Sequence, residues 1–358
     1  MKNLVIDRRV IRNNIRAVKE KADGAAVYAD LSANAYGMGL LEMARLLWDE
    51  GIRDFIVSDA RDARQLREKG FRDARVMMLR STADPNELEE LLDLDVICTV
   101  GSYDAAVALN GIAGTRGVIA DVQIKIDTGL GRYGFDPAQL DRVAAVYKYM
   151  AHLRVVGTFT TFACSWRSRR ETRSQLDMFN DVLDRLEEMG FEVGVAHCCD
   201  SAALFNYDLG KMDARMDAVI LDLALSGRIP GKAVPSLSRV GYIEAGLEEV
   251  GWYSKGHHIG AEHGMRIRKA TKIAVLSVGY YHGFGVDRHK AERSFFDRIR
   301  SRGIGRTVRV NGKKARVLGN VGMQHTLVDV TGVDCTVGDV AVLDVDPVNV
   351  KGLPRSYI

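Results

Sequence analysis

Several features that would assign this chain to a specialised class of protein are scarce or missing. Its 358 residues include only five cysteines, scattered without a C-x-x-C pair, so neither a disulfide framework nor a zinc cluster is expected. No apolar run approaches membrane-spanning length, and the N-terminal segment MKNLVIDRRVIRNNI carries charges where a signal peptide needs an apolar core. These absences predict a protein of the reducing cytoplasm that does not enter a membrane.

A large excess of charge of one sign is also missing. Fifty Lys and Arg side chains stand against 47 Asp and Glu side chains, which leaves a formal net charge of +3. Such a balance argues against nucleic acid as a partner. The histidines match no metal-ligand spacing, so no metal site is predicted. With 47% hydrophobic and 27% charged residues, the composition is that of an ordinary globular protein, long enough for two domains.

The first part of the chain alternates short apolar or β-branched runs with longer amphipathic helical patterns. This alternation is typical of repeated strand and helix units around a parallel sheet. About eight such units in roughly 230 residues favour a (β/α)8 barrel over an open doubly wound sheet. The strand candidates are residues 25–29, 54–57, 76–79, 96–99, 118–126, 155–159 and 193–197.

The pattern changes after the turn-rich segment SGRIPGKAVP at residues 226–235. Helical periodicity largely ends there, and strand patterns separated by glycine-containing turns follow, which predicts an antiparallel β domain. The strand candidates are residues 236–243, 271–278, 307–310, 314–318, 326–330 and 339–343, with one helical candidate at 290–302. We therefore predict a barrel over residues 1–232 and a C-terminal β domain over residues 233–358.

One segment is specific enough to indicate a family. SANAYGMG at residues 32–39 follows the first barrel strand, at the strand end where barrel active sites are built. It resembles the K-A-N-A-Y-G-H-G signature of alanine racemases, which are barrel enzymes of pyridoxal phosphate with a C-terminal β domain. Further matches follow in order across the whole chain: KIDTGLGRYG at 125–134, GTFTTFA at 157–163, HCCDSAA at 197–203, SVGY at 277–280, GMQHTLVDV at 322–330 and LPR at 353–355.

The resemblance also shows a change at the residue on which the family's chemistry depends. In the family, the first residue of the signature is a lysine that holds the cofactor as a Schiff base and serves as one of two proton-transfer bases. This sequence has Ser32 at that position, and a hydroxyl cannot form an imine. The preceding residues 27–31 read VYADL, so no neighbouring lysine replaces it.

Other residues correspond to the family one at a time. Arg132 matches an arginine that contacts the substrate carboxylate and the phenolic oxygen of the cofactor, and Lys125 matches a lysine, sometimes carbamylated, that orients this arginine. The resemblance further implies that Tyr36, Ser201 and the backbone after Arg215 hold the cofactor phosphate. It places Arg215 itself against the pyridine nitrogen.

The remaining site residues correspond less closely. Thr161 replaces a histidine that supports the cofactor ring, and Asp217 stands where a glycine usually offers its N–H to the phosphate. A carboxylate there repels a phosphate unless it is turned away or paired. Tyr253 is the nearest match to a second catalytic base that the partner subunit supplies, and Met323 matches a residue whose N–H faces the substrate carboxylate. With Tyr280, these residues would complete the barrel mouth of the other subunit in a head-to-tail homodimer.

The sequence supports one prediction and two alternatives. We predict a divergent member of the alanine racemase family whose pocket binds an amino acid or a phosphate-bearing anion, with lysine-dependent racemisation lost or strongly reduced. Pyridoxal phosphate is the candidate cofactor, held without the usual covalent bond. The first alternative is an active racemase or isomerase that binds this cofactor without an imine or through a different amine. The second is a binding or regulatory protein without catalysis.

Overall fold

The computed structural model describes residues 1–208, 212, 214–231, 233–260, 264–286 and 306–358. The helix predicted at residues 290–302 lies outside these residues. None of the helices within them is long and apolar enough to cross a membrane.

The described residues form two compact units. One unit is Ile11–Ser238, and the other combines Met1–Val10 with Arg239–Ile358. The first strand, β1 (Lys2–Ile6), explains this division because it pairs with two strands from the C-terminal part of the chain. The predicted division at 232/233 differs from the observed one for residues 1–10, because of this pairing, and for residues 233–238, which belong to the larger unit. Pairing between such distant segments leaves no local signal in the sequence.

The larger unit contains a ring of eight parallel strands, as predicted for a (β/α)8 barrel. Adjacent strands along the chain pair with each other, the last strand, β9 (Ala218–Leu221), pairs with the first, β2 (Ala26–Asp30), and a bridge between Cys199 and Val219 joins the last two strands. The seven strand candidates of this region overlap observed strands, whereas β9 had no candidate. The strands are β2 (Ala26–Asp30), β3 (Asp54–Val57), β4 (Arg75–Ser81), β5 (Val96–Val100), β6 (Ala120–Lys125), β7 (Leu153–Phe159), β8 (Val195–His197) and β9 (Ala218–Leu221).

Helices connect these strands and bury one face each. Asp59 and Asp84 begin two of them by accepting hydrogen bonds from backbone N–H groups of the first turn. Leu176, Phe179 and Leu183 form a buried stripe at the helical spacing predicted for the longest helix. The helices are α1 (Arg8–Ala22), α2 (Leu40–Asp49), α3 (Ala60–Glu68), α4 (Pro85–Asp93), α5 (Tyr103–Arg116), α6 (Leu140–Tyr149), α7 (Arg169–Glu188) and α8 (Ser201–Asn206).

Packed side chains fill the interior of the barrel. His197 stacks on Phe159 with 4.9 Å between ring centroids, and its Nε2 lies 2.7 Å from the side-chain oxygen of Gln123. Burial lowers the pKa of His197 to about 3, so this imidazole is neutral at physiological pH. Ligand-binding groups are therefore expected at the carboxyl ends of the strands, which we call the barrel mouth. The apolar members of the core are Tyr28, Ile56, Met77, Phe159, Ala218 and Ile220.

The smaller unit is built on an antiparallel sheet, which confirms the prediction for this region. One pair within it is parallel, formed by β1 and β18 (Arg355–Tyr357). The candidate at 236–243 was wrong in position, because the strand begins at Tyr242 and continues to Tyr253. The strands are β10 (Tyr242–Tyr253), β11 (His258–Ile259), β12 (Met265–Arg266), β13 (Thr271–Leu276), β14 (Thr307–Val310), β15 (Lys313–Leu318), β16 (Thr326–Asp329), β17 (Val340–Asp344) and β18 (Arg355–Tyr357), of which β11 and β12 form a separate ribbon.

Candidate functional site

The segment after β2 forms a left-handed turn. Residues 33–36 all have φ between 51° and 59°, and none of them is glycine. This conformation costs an L-residue about 1–2 kcal/mol, so four in succession are unusual. The Asn34 side chain supports the turn by accepting a hydrogen bond from the N–H of Leu40 at 2.8 Å. Strained backbone of this kind is typical of functional sites.

The left-handed turn brings Tyr36 back onto Asp30, the last residue of β2. The Tyr36 hydroxyl donates to Asp30 Oδ2 at 2.6 Å, and the Ser32 N–H donates to Oδ1 at 2.9 Å. The Ser32 hydroxyl lies near the same carboxylate and lowers its pKa, but this oxygen lacks hydrogen-bond geometry and is buried without a partner. Tyr36, predicted as a phosphate donor, therefore already serves a carboxylate of this chain.

A second carboxylate follows β9 and is held by the residue that begins α8. The Ser201 N–H donates to Asp222 Oδ1 at 3.1 Å, and the Asp222 N–H donates to Ser201 Oγ at 3.1 Å. The Ser201 hydroxyl itself donates to the carbonyl oxygen of Ile220 at 3.3 Å. Beside them, Asp200 accepts a hydrogen bond from the Ser165 hydroxyl at 2.8 Å. Ser201 is thus fixed by contacts within the protein.

Asp30, Asp200 and Asp222 together form what we call the acidic side of the barrel mouth. Ala29 pairs with Leu221, so Asp30 and Asp222 continue neighbouring strands at the same level. Burial raises the pKa of all three carboxyls, and the charges of Asp200 and Asp30 help to raise that of Asp222 to about 7. Across the described part of the chain, no three acidic, Cys or His side chains converge to hold a metal ion.

Lys125, at the end of β6, is the central residue of a basic side. It is only 3% exposed, and its Nζ lies 5.6 Å from the centroid of the Phe159 ring. No hydrogen bond or ion pair to this amine is present among the described residues. Burial, and then the nearby charge of Arg132, lower the pKa of Lys125 to about 8, against the opposing effect of Asp127. Lys125 and Arg132 define the basic side of the mouth.

The loop that carries Arg132 is shaped by local hydrogen bonds. The Asp127 carboxylate accepts the N–H groups of Gly129 at 3.1 Å and Gly131 at 2.9 Å. A Cβ on Gly134 would lie 2.7 Å from the backbone nitrogen of Asp127, so only glycine permits this close return of the chain. The motif predicted from the sequence therefore places Arg132 next to the end of β6.

Arg215 and Asp217 do not lie at the barrel mouth, which contradicts their predicted contacts with the cofactor. Both precede β9, whereas Asp222 follows it, and about 16 Å of extended chain separate Asp217 from Asp222. Arg215 forms salt bridges with two carboxylates of α7, at 3.3 and 2.7 Å. The Asp217 carboxylate accepts the N–H of Ala196 at 2.8 Å. Asp222 is the acidic residue at the mouth that sequence reasoning missed.

The other predicted residues are divided between the two units. Thr161 follows β7 in the barrel unit, and its hydroxyl oxygen is buried without a partner. Tyr253, Tyr280 and Met323 belong to the smaller unit. The Tyr253 hydroxyl donates to a glutamate of the same strand at 3.2 Å. Tyr280 and Met323, which are 54% and 55% exposed, lie on adjacent loops joined by backbone hydrogen bonds.

Pyridoxal phosphate, the cofactor implied by the resemblance, does not fit the acidic side as it stands. Tyr36 and Ser201 donate their hydroxyl hydrogens to oxygens of this chain, and Arg215 lies at the other end of β9. A phosphate beside Ser201 would meet the Asp222 carboxylate, and like charges in a buried setting repel each other. Ser32, which the resemblance places at the position of the cofactor-binding lysine, offers no amine. The residues present thus favour neither the phosphate nor the covalent bond.

Known proteins resemble this chain along almost its whole length. The model of the alanine racemase N-terminal domain matches residues 6–219, and that of the C-terminal domain matches residues 240–351. Alanine racemases of Desulforamulus reducens and Carboxydothermus hydrogenoformans are 30% and 31% identical to it, over 91% and 93% of this chain and 84% and 86% of their own length.

Solved structures of alanine racemases have the same fold as this chain. Alanine racemases from Streptomyces lavendulae and Streptomyces coelicolor align with TM-scores of 0.86 at 26% and 27% identity, over all of this chain and 97% and 98% of theirs. An alanine racemase from Bartonella henselae, described with covalently bound pyridoxal phosphate, aligns with a TM-score of 0.83 at 22% identity, over all of this chain and 99% of its own. At that identity the likeness shows the fold alone.

Proposed function

Because the chain belongs to the alanine racemase family, we propose that it is a divergent member whose barrel mouth binds a free amino acid or a related carboxylate, and in which lysine-dependent racemisation is lost. The observation that carries this proposal is Ser32, a hydroxyl at the end of β2 where the resemblance requires an amine. The family depends on pyridoxal phosphate, and this change removes both its covalent anchor and one proton-transfer base.

The basic side supports recognition of a carboxylate. Arg132 is exposed in the loop after β6, and its planar guanidinium can bind both oxygens of a carboxylate. The amine of Lys125 lies close enough for the two charges to interact, and it is not neutralised by an ion pair among the described residues. Two cations held together without such a partner favour an anionic ligand group.

The first experiment measures binding and racemisation together. A panel of D- and L-amino acids is tested for its effect on the melting temperature, and each is assayed for interconversion with and without added pyridoxal phosphate. At one hundred times Kd, a ligand stabilises the folded state by about 2.7 kcal/mol. We expect at least one amino acid to give such a shift, with no racemisation.

Arg132→Ala should abolish the shift, whereas Arg142→Ala, which changes an exposed arginine of α6, should retain it. Racemisation by the unmodified chain would refute the loss of activity. The absence of any shift across the panel would refute ligand binding.

A second candidate function is favoured by the state of Lys125. A buried amine whose pKa is lowered to about 8 is partly neutral at physiological pH and therefore nucleophilic toward carbonyl compounds. In this alternative the chain is an active isomerase that uses Lys125 in place of the missing lysine. Borohydride reduction in the presence of pyridoxal, followed by peptide mass spectrometry, separates the two proposals. Selective labelling of Lys125, lost in Lys125→Met, would favour this alternative and contradict the first.

The assembly is also a proposal. The resemblance implies a homodimer in which Tyr253, Tyr280 and Met323 of one copy complete the barrel mouth of the other. Exposed Tyr280 and Met323, adjacent in the smaller unit, support a contact surface there. Sedimentation should give a dimer at micromolar concentration, and a stable monomer would argue against a composite site.

A further inference from the structure

We infer that Asp222 makes the barrel mouth reject phosphate-bearing ligands, because its carboxylate occupies the place beside Ser201 that a phosphate would need. This inference rests on the proposed function and specifies the ligand further: a compound with a carboxylate or carbonyl group and without a phosphate ester. It follows because the residues of the acidic side present a carboxylate, and not hydrogen-bond donors, to the phosphate of such a cofactor.

The contacts of Ser201 show that the space beside it is already occupied by groups of this chain. Its side chain is fully buried, and its N–H donates to the Asp222 carboxylate at 3.1 Å. Its hydroxyl donates to a backbone carbonyl at 3.3 Å and accepts the Asp222 N–H at 3.1 Å. An incoming anion would have to break these contacts, and the displaced Asp222 carboxylate would remain beside it.

The neighbouring hydroxyl donors are committed in the same way. Tyr36 donates to Asp30 at 2.6 Å, and Ser165 donates to Asp200 at 2.8 Å. The hydroxyls of Tyr36 and Ser165 thus already serve carboxylates of the chain. A carboxylate accepts hydrogen bonds and donates none when ionised, so the acidic side offers an anion acceptors where it needs donors.

Asp222 is the member of the acidic side that a ligand would meet. Asp30 is only 5% exposed beneath the left-handed turn, and Asp200 caps the first turn of α8 by accepting the N–H of Ala203 at 2.7 Å. Asp222 is partly accessible and lies at the level of Asp30 on the adjacent strand. Exclusion of phosphate should therefore depend mainly on the charge of this one side chain.

The test compares pyridoxal with pyridoxal phosphate, which differ only by the phosphate. Titration calorimetry, at a pH well above the Asp222 pKa of about 7 so that its carboxylate is charged, measures both ligands against the unmodified protein, Asp222→Asn and the matched control Asp217→Asn. Asn keeps the size of Asp and an oxygen that accepts the Ser201 N–H, and it removes the charge. Asp217 lies at the opposite end of β9 and, like Asp222, accepts a backbone N–H at its carboxylate.

In the unmodified protein and in Asp217→Asn, pyridoxal phosphate should bind no more tightly than pyridoxal. In Asp222→Asn, the affinity for pyridoxal phosphate should rise at least tenfold, while that for pyridoxal changes less than threefold. Tenfold tighter binding of pyridoxal phosphate than of pyridoxal by the unmodified protein would overturn the inference without any variant. Folded Asp222→Asn that gains no affinity for pyridoxal phosphate would overturn it as well.

These outcomes are separable from those of the proposed function. A protein that binds no amino acid but gains phosphate affinity in Asp222→Asn refutes the proposed function and supports this inference. If the protein binds amino acids through Arg132 and also prefers pyridoxal phosphate to pyridoxal, the proposed function is supported and this inference is refuted.

Discussion

The acidic and basic sides of the barrel mouth bury charge of opposite sign without neutralising each other. β2 and β6 stand four places apart in the ring of eight strands, so Asp30 and Lys125 lie on opposite sides of it. The neighbours that shift the pKa of Asp30 are Ser32 and Tyr36, whereas those that shift the pKa of Lys125 are Arg132 and Asp127. A buried ion pair would have offset part of the desolvation on each side. Charges kept apart at a cost in stability are typical of a binding site rather than of a structural core.

The largest expected effect comes from restoring the amine on the acidic side. Ser32→Lys alone should allow a yellow, borohydride-reducible adduct with pyridoxal, and Ser32→Lys with Asp222→Asn should extend this to pyridoxal phosphate. The double variant should bind pyridoxal phosphate on the order of a hundredfold more tightly than Ser32→Lys, since the phosphate and the Asp222 carboxylate would repel each other strongly in a buried site. Absorbance titration followed by reduction and mass spectrometry measures both steps.

Ser32→Lys with Asp217→Asn is the control for that experiment, and it should behave like Ser32→Lys alone. Equal loading of Ser32→Lys and the double variant with pyridoxal phosphate would mean that the acidic side does not oppose the phosphate.

The next effect is the contribution of Asp222, on the acidic side, to the stability of the protein as a function of pH. Because the pKa of Asp222 rises from 3.8 to about 7 on folding, the folded protein holds this proton more tightly, and stability falls as pH rises from about 4 to 7. Asp222→Asn should therefore match the unmodified protein near pH 4 and exceed it above pH 7. The gap in unfolding free energy has an upper limit of about 4 kcal/mol. Urea unfolding across this range measures it, and a gap that does not vary with pH would contradict the argument.

Lys125, on the basic side, should make the unfolding free energy rise with pH, the opposite of the effect of Asp222, and by a smaller amount. The pKa of Lys125 falls from 10.5 to about 8 on folding, so its unfavourable effect is complete below pH 8 and disappears as pH rises toward 10.5. Lys125→Met should be more stable than the unmodified protein below pH 8, by up to about 3 kcal/mol, and the difference should vanish at high pH. Lys21→Met, at an exposed position of α1, serves as the control. A Lys125→Met variant less stable at pH 7 would indicate a partner for this amine.

The smallest effect is expected at the amino end of β9. Asp217→Asn keeps an acceptor for the N–H of Ala196 and removes an exposed charge, so its unfolding free energy should change by less than about 1 kcal/mol at any pH between 5 and 9. Comparing the unfolding free energies of Asp217→Asn and Asp222→Asn thus distinguishes a residue of the site from one that has only a structural role. A pH dependence at Asp217 equal to that at Asp222 would remove this contrast.

The fold was predictable in its repeating parts and less so where distant segments pair. Strands such as Asp54–Val57 contain a continuous apolar run, here residues 55–57, bounded by helical patterns, and these signals are local. β1 instead pairs with Ala245 and its neighbours, more than two hundred residues away, and nothing in its five residues identifies that partner. β10 was misplaced because its second half contains only exposed and half-buried residues, which weakens the apolar pattern.

The site was predictable where a motif carries its own geometry. Residues 125–134 place Lys125 and Arg132 together through a loop closed by Asp127 and Gly134, all within one segment. Asp222 was missed because its role depends on Ser201, which is 21 residues away, and on the register of β9 against β2. An assignment of Arg215 and Asp217 by resemblance alone overlooked the four-residue strand that separates them from the mouth.

The left-handed turn has a consequence for how function is inferred from motifs in proteins of this kind. Residues 33–36 and the Asn34 side chain support one backbone path, and they do so in a chain that has serine at position 32. The strained path therefore does not require a reactive amine beside it. A search that scores A-N-A-Y-G detects this backbone, whereas the amine on which the family's chemistry depends would belong to the residue that precedes it.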